Sequence, residues 1–141
     1  MREIFPHPYE IHHAESFINR VTEQEAYIVL CIEYDHECIG LIGFFPQTDV
    51  YCKTGELGYW LAEPFWGKGI MPEAVKKFCE YVFKSFDIIR IYAGVFEWNK
   101  QSMKVLEKAG FKHEGISEKN VFKDGQIIDE HRYALIRGVN T

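Results

Sequence analysis

The chain has 141 residues, and its 16 Lys and Arg against 21 Asp and Glu give a formal charge of −5 with His neutral. That length suits one domain, residues 1–141, around one hydrophobic core, and 47% hydrophobic with 16% aromatic residues excludes a disordered chain. The acidic balance argues against a dedicated nucleic-acid binder, and no apolar run reaches the ~18–20 residues that cross a membrane.

The opening MREIFPHPYEIHH has no apolar core of a secretory signal, which predicts a soluble, cytoplasmic protein. From Tyr9 to Val21, the residues Ile11, Ala14, Phe17, Ile18 and Val21 form one stripe, the spacing of an amphipathic helix. Two apolar runs follow, Ala26–Ile32 and Cys38–Phe45, and the polar break between them predicts an antiparallel hairpin turning at Tyr34-Asp35. Glu56–Ala62 reads as a strand that Pro64 ends. From Ile70 to Phe86 apolar residues recur with a 3.6-residue period, and Pro72 falls in the first turn of that helix, where its missing N–H is tolerated. Ile88–Phe96 is β-branched and aromatic, so strand, helix and strand make a parallel, right-handed crossover. Asn99 is a good N-cap for a second helix that Gly110 closes. The remainder reads as two strands joined at Asp124-Gly125. The expected class is α+β, a mixed and mostly antiparallel sheet with one parallel junction at its centre and flanking helices.

The junction EPFWGKGIMPEA, residues 63–74, carries the chemistry. Gly67 and Gly69 allow positive φ and close approach of a ligand to the backbone. The free N–H groups of the next helix then point into the turn, with the positive end of the helix dipole behind them and Lys68 adding charge. Such a place suits a phosphate or pyrophosphate. It is neither a Walker loop nor the dinucleotide fingerprint G-x-G-x-x-G.

Read together, GYWLAEPFWGKGIMPEAV, the strand after it, Asn99-Lys100-Gln101-Ser102 and Leu106-Glu107-Lys108-Ala109-Gly110-Phe111 resemble the GNAT superfamily of acyl-CoA-dependent N-acetyltransferases, in its RimJ/RimL-type branch. The resemblance implies that the strands Glu56–Ala62 and Ile88–Phe96 splay apart and that acetyl-CoA wedges its pantetheine arm between them. It sets Tyr59, Trp60 and Leu61 along that arm, the pyrophosphate on the backbone of Gly67, Lys68, Gly69, Ile70 and Met71, and Asn99 near the thioester. Trp66, Gly69 and Met71 stand where the superfamily has R/Q-x-x-G-x-G/A, so only the central glycine matches. The family also begins with a strand and helix before the segment resembling Pro8-Tyr9-Glu10. Their absence would leave Ala26–Ile32 as an exposed edge, for a homodimer or another partner to cover.

Acetyl transfer needs a neutral amine, a donor for the oxyanion and a donor for the departing thiolate. Lysine side chains titrate near ~10.4 and a peptide α-amino group near ~8, so an α-amine needs no strong base. Much of the superfamily places a Tyr seven residues after the helix-start Asn as the thiolate's donor; here that residue is Leu106, and the branch resemblance passes the role to Ser102. Tyr92 and Tyr59 are reserve candidates for that donor, with core or cofactor packing as their other reading. Glu56 opens the central strand, where family members place a carboxylate base. The acceptor implied is a primary amine, on a protein N-terminus or a small molecule. Two other readings stay open: a non-catalytic acyl-CoA-binding module, and a nucleotide binder using the same glycine turn.

The six histidines are scattered without ligand spacing, so no metal site is expected. Cys31 and Cys38 would lie opposite each other in the hairpin, yet a cytoplasmic setting favours free thiols. Cys79 falls on the buried helix stripe as a small hydrophobe.

Overall fold

The computed structural model describes residues 27–138 and, as backbone, residues 9–13. Seven strands make one sheet: β1 (Tyr9–His13), β2 (Ile28–Tyr34), β3 (Glu37–Pro46), β4 (Thr54–Leu61), β5 (Arg90–Phe96), β6 (Lys112–Lys123) and β7 (Gln126–Ile136). Their order is β1-β2-β3-β4-β5-β7-β6, and every neighbouring pair is antiparallel except β4–β5. The expected α+β architecture with one central parallel pair is therefore the one adopted. Helix α1 (Ile70–Ser85) makes the crossover between β4 and β5, and α2 (Lys100–Lys108) joins β5 to β6. Among the described residues, no helix is long and apolar enough to cross a membrane.

Helix α1 forms because its apolar positions share one face: Ile70, Met71, Ala74, Val75, Phe78, Cys79 and Val82 are all buried. Each large one contributes about 1.5–3 kcal/mol by leaving water. They join Leu57 and Leu61 of β4, Ile91, Ala93 and Val95 of β5 and Leu106 of α2 in one core, so both helices cover the same face of the sheet. In α2 the Asn99 side chain accepts the Ser102 N–H at 3.1 Å, the cap its residue type promises. At the other end Gly110 has φ +102° and the Phe111 N–H reaches the Leu106 carbonyl at 2.9 Å, closing the helix. Asp124 and Gly125, with φ of +52° and +76°, turn the last hairpin.

Four expectations need correction. Tyr9–His13 is a strand, not the start of a helix, pairing antiparallel with β2 from Tyr9↔Tyr34 to His13↔Leu30. The edge of β2 offers a row of backbone groups that a five-residue extended segment satisfies at once, and a helical stripe read from sequence does not weigh that. The rest of that expected helix lies outside the described residues. For the same reason the segment expected as an exposed edge is an interior strand, between β1 and β3. Finally, the first hairpin turns at Asp35-His36, with φ of +52° and +67°, and carries a bulge between Ile32 and Glu33. The register pairs Cys31 with Leu41 and Cys38 with Glu33 rather than with each other, yet the two cysteines, with Cα atoms 5.8 Å apart, are joined as a disulfide where free thiols were expected. Cys79 is buried and free, as its place on the stripe implies.

Candidate active site

The parallel pair β4–β5 holds together over only three positions, Thr54↔Arg90, Gly55↔Ile91 and Glu56↔Tyr92. Beyond them β4 continues to Leu61 bonded to β3, and β5 continues to Phe96 bonded to β7. Past that point each strand stays bonded to its outer neighbour while the pairing between them ends. The Ala62 N–H bonds the Ile39 carbonyl at 2.8 Å, and with the register Gly40↔Leu61 this turns the backbone groups of Tyr59 and Leu61 toward β5 and those of Trp60 toward β3. The Glu97 N–H bonds the Asp129 carbonyl at 3.1 Å, which by the same logic turns Gly94 and Phe96 toward β4. The gap is thus edged by peptide groups with no partner strand between them. Of the three residues expected along a cofactor arm, Tyr59 and Leu61 present backbone to it, whereas the Trp60 amide faces β3 and its exposed side chain lines the adjoining cavity.

At the wide end of the gap the chain bends through Gly67 and Gly69, whose φ values are +74° and +78°. Nothing lies within 4 Å of where a Cβ would stand on either, so the bend is open. Gly69 is the N-cap of α1 and offers no side-chain acceptor, which leaves the Ile70 and Met71 amides facing the bend; Pro72 contributes no donor. Trp66 reaches back from the bend, its indole Nε1–H donating to the Leu61 carbonyl at 2.7 Å. That bond pins the turn to the end of β4 and explains how an indole stands where the resemblance expects Arg or Gln. Lys68 is exposed and is not among the residues lining the cavity.

A cavity of about 390 Å³ runs from this bend to α2, with Trp66, Gly67, Gly69 and Ile70 at one end and Asn99 and Ser102 at the other. A second, of about 300 Å³, lies in the gap itself between Glu56 and Gly58 of β4 and Gly94 and Phe96 of β5. Tyr59, Asn99 and Ser102 line both. Here the Tyr59 hydroxyl meets the Ser102 hydroxyl in a short hydrogen bond, with the Ser102 carbonyl 3.4 Å away. Burial pushes the Tyr59 phenol up to about 12, the bond to Ser102 pulling the other way. Leu106 is wholly buried in the core and offers the gap no polar group.

Glu56 lines the second cavity together with Ser102 of α2, on the strand that carries Tyr59. Its carboxyl is raised above the ordinary carboxylate value, first by burial and then by the negative charge of Glu130. Tyr92, beside it, is raised by burial and by Glu56 itself, with Arg90 opposing.

Several residues escape a reading of the sequence. Glu130 comes from β7, accepts the Asn120 side-chain amide at 2.7 Å, and folds over Gly94, where any Cβ would collide with its carboxylate. Nothing local in the sequence announces it. Lys104 and Lys108 of α2 line the larger cavity with Gln101, and the successive steps of three and four residues from Gln101 to Lys104 to Lys108 are a signal that helical periodicity offers. With the α1 amides opposite, these lysines make that cavity fit an anionic ligand. Among the described residues, no group of three or more His, Cys, Asp or Glu could hold a metal ion.

A family model described as an acetyltransferase (GNAT) domain matches residues 1–112. A probable N-acetyltransferase of Bacillus subtilis, YjcK, is 38% identical over 114 residues, which are 81% of this chain and 62% of its own length. Among solved structures, the ribosomal-protein-S5-alanine acetyltransferase of Vibrio fischeri superposes with a TM-score of 0.73 at 29% identity, over 80% of this chain and 63% of that one. RimJ of Mycobacterium smegmatis, in complex with CoA-disulfide, gives a TM-score of 0.72 at 28% identity, over 79% of this chain and 53% of that one. The chain spans about 60% of the length of the curated relatives it matches.

Proposed function

Because the chain belongs to the GNAT acetyltransferase family, we propose that it transfers an acetyl group from acetyl-CoA to a primary amine by direct attack in a ternary complex. Acetyl-CoA supplies the activated acyl group as a thioester. The observation that carries the reading is the parting of β4 and β5 after Glu56 and Tyr92, opposite an open glycine bend at a helix start.

Each part of the site takes a role in that reading. The amides from Gly67 to Met71 hold the pyrophosphate with the α1 dipole behind them, and Lys104 and Lys108 add positive charge from α2. The backbone edges of Tyr59 and Leu61 bond the pantetheine arm; the Leu61 carbonyl already accepts from Trp66, so its N–H is the group offered. Asn99 uses its side-chain oxygen to cap α2, which leaves its NH₂ for the ligand. The Tyr59 N–H, facing the gap, is the fixed donor for negative charge growing on the carbonyl oxygen. Ser102 donates to the departing sulfur, and Glu56, at the opposite mouth, takes the proton the amine gives up. The V. fischeri relative is named for acetylating a ribosomal protein, which supports a protein N-terminus as the acceptor. The reading treats residues 1–141 as one acyltransferase domain.

The test is to mix the protein with acetyl-CoA and a panel of peptide N-termini and small amines while following free thiol. Thiol released in step with one class of amine supports the proposal and identifies the acceptor. Acetyl-CoA bound with no release on any amine would replace it with a non-catalytic binding module.

A further inference from the structure

Tyr59, Asn99 and Ser102 form the neck between the two cavities. In the reading above, the scissile bond passes through this neck, since one cavity holds the cofactor and the other the amine. The Asn99 side-chain oxygen caps α2, leaving its amide NH₂ but no hydroxyl at the neck, and Leu106 is sealed in the core. Among the described residues, the side-chain hydroxyls at the neck are those of Tyr59 and Ser102, and they are bonded to each other.

From this contact we propose that Tyr59 is a positioning residue: its hydroxyl donates to Ser102 Oγ and so aims the serine's own hydrogen at the sulfur that leaves. This rests on the acetyl-transfer reading of the site. Either hydroxyl can donate in this contact. The Ser102 carbonyl, 3.4 Å from the phenol oxygen, is a second and more distant acceptor for the single phenol hydrogen, and in the proposed arrangement that hydrogen goes to the nearer Oγ. With Oγ accepting, the serine hydrogen is free to turn into the neck. A serine hydroxyl that accepts from a phenol is also a better donor, because the bonds polarise one another in a site of low dielectric.

The step balances without net ionisation of either hydroxyl. The C–N bond forms, the C–S bond breaks, and the electron pair stays on sulfur, where the Ser102 O–H meets it as a hydrogen bond. The amine's proton leaves by way of Glu56, and the thiolate takes a proton from water after release. Burial raises the phenol to about 12, so Tyr59 keeps its hydrogen throughout the neutral range. A pair of hydroxyls from β4 and α2 thus does the work for which the superfamily uses one tyrosine at the position of Leu106.

Among the described residues, the charged groups lining the two cavities are Glu56 from β4 and Lys104 and Lys108 from α2, with Glu130 of β7 folded over Gly94 and acting on Glu56. All of these are common to wild type and variants, so differences between variants isolate the hydroxyl pair. CoA itself is the probe: bound to the full chain, its thiol is titrated by the ultraviolet absorbance of the thiolate in wild type, Tyr59→Phe and Ser102→Ala. The bound thiol ionises most readily in wild type, and either variant weakens its ionisation constant about tenfold, as losing a hydrogen bond to a charged group implies. Equal titration in wild type and Tyr59→Phe overturns the proposal, and so does CoA that fails to bind wild type, which sinks the cofactor site as well. With an acceptor in hand, Tyr59→Phe lowers kcat about tenfold and leaves the KM for acetyl-CoA within about twofold. The double variant turns over no more slowly than Ser102→Ala; additive losses would mean that the two hydroxyls act separately. Thermal melts of Tyr59→Phe and Ser102→Ala check that neither change acts through the fold. Since thiol titration needs no amine, it decides the role of Tyr59 even if no amine is acetylated.

Discussion

Gly69 shows how one residue serves both backbone and ligand. Its φ of +78° penalises any side chain, by about 1–2 kcal/mol in the left-handed region, while the space around its Cβ direction is open. Gly69→Ala is therefore expected to lower the melting temperature and leave CoA binding in place. Gly69→Glu adds a carboxylate to the bend where an anion belongs, and calorimetry should find no CoA binding; unchanged affinity would put the anion site elsewhere. Glu56 gives a test by pH. Burial and Glu130 raise its carboxyl, and a base acts in its ionised form, so kcat/KM should rise as pH climbs through that raised value. Glu130→Gln removes the repulsion, favours the ionised carboxylate, and should move this limb of the profile to lower pH. Glu56 was visible in the sequence as the opening of a strand. Glu130 was not, because its relation to Glu56 exists only once β7 lies beside β5.

At the scale of elements, the gap depends on how firmly β4 and β5 are joined at its closed end. Gly55, paired with Ile91, lies under the ring of Phe44 with no room for a Cβ. Gly55→Ala forces that ring out of a packed core, which is expected to destabilise the protein by about 1–3 kcal/mol, read as a fall in melting temperature. A melting temperature equal to wild type would mean that this junction yields easily. The elements around the site were legible because their signals are local: the period of α1, the Asn99 cap, the Gly110 stop, the Asp124-Gly125 turn. The segment Tyr9–His13 was misread because its partner, the edge of β2, is distant from it in the period-based reading and decides its state by backbone pairing. Lys104 and Lys108 carried a helical spacing that a search confined to glycine turns passes over.

For the molecule as a whole, the site is assembled from β4, the bend before α1, and α2, so a ligand that fills it ties together parts that are otherwise held only through the core. Acetyl-CoA at about 100 times its dissociation constant should stabilise the fold by ~2.7 kcal/mol, seen as a higher melting temperature. The same addition to Gly69→Glu should change nothing. A further whole-sheet contact is the bidentate pair of Arg90 with Glu114, two bonds of 2.7 Å that cross over β7. It holds Glu114 below the ordinary carboxylate value, so its contribution is present above the unfolded-state value and fades as pH falls through the depressed one.

By itself the sequence determined the α+β class, the crossover through α1, and the glycine bend at a helix start, since periodicity, caps and glycines act over a few neighbouring residues. It also determined that Leu106 cannot donate a proton. The family resemblance implied that β4 and β5 part, but only the tertiary structure decided where, after three paired positions, because the end of the pairing depends on the register of both strands in the sheet. It alone brought Tyr59 to Ser102, 43 residues apart, and Glu130 over Gly94. Contacts between side chains on different elements depend on register and packing, which no stretch of this chain encodes in isolation.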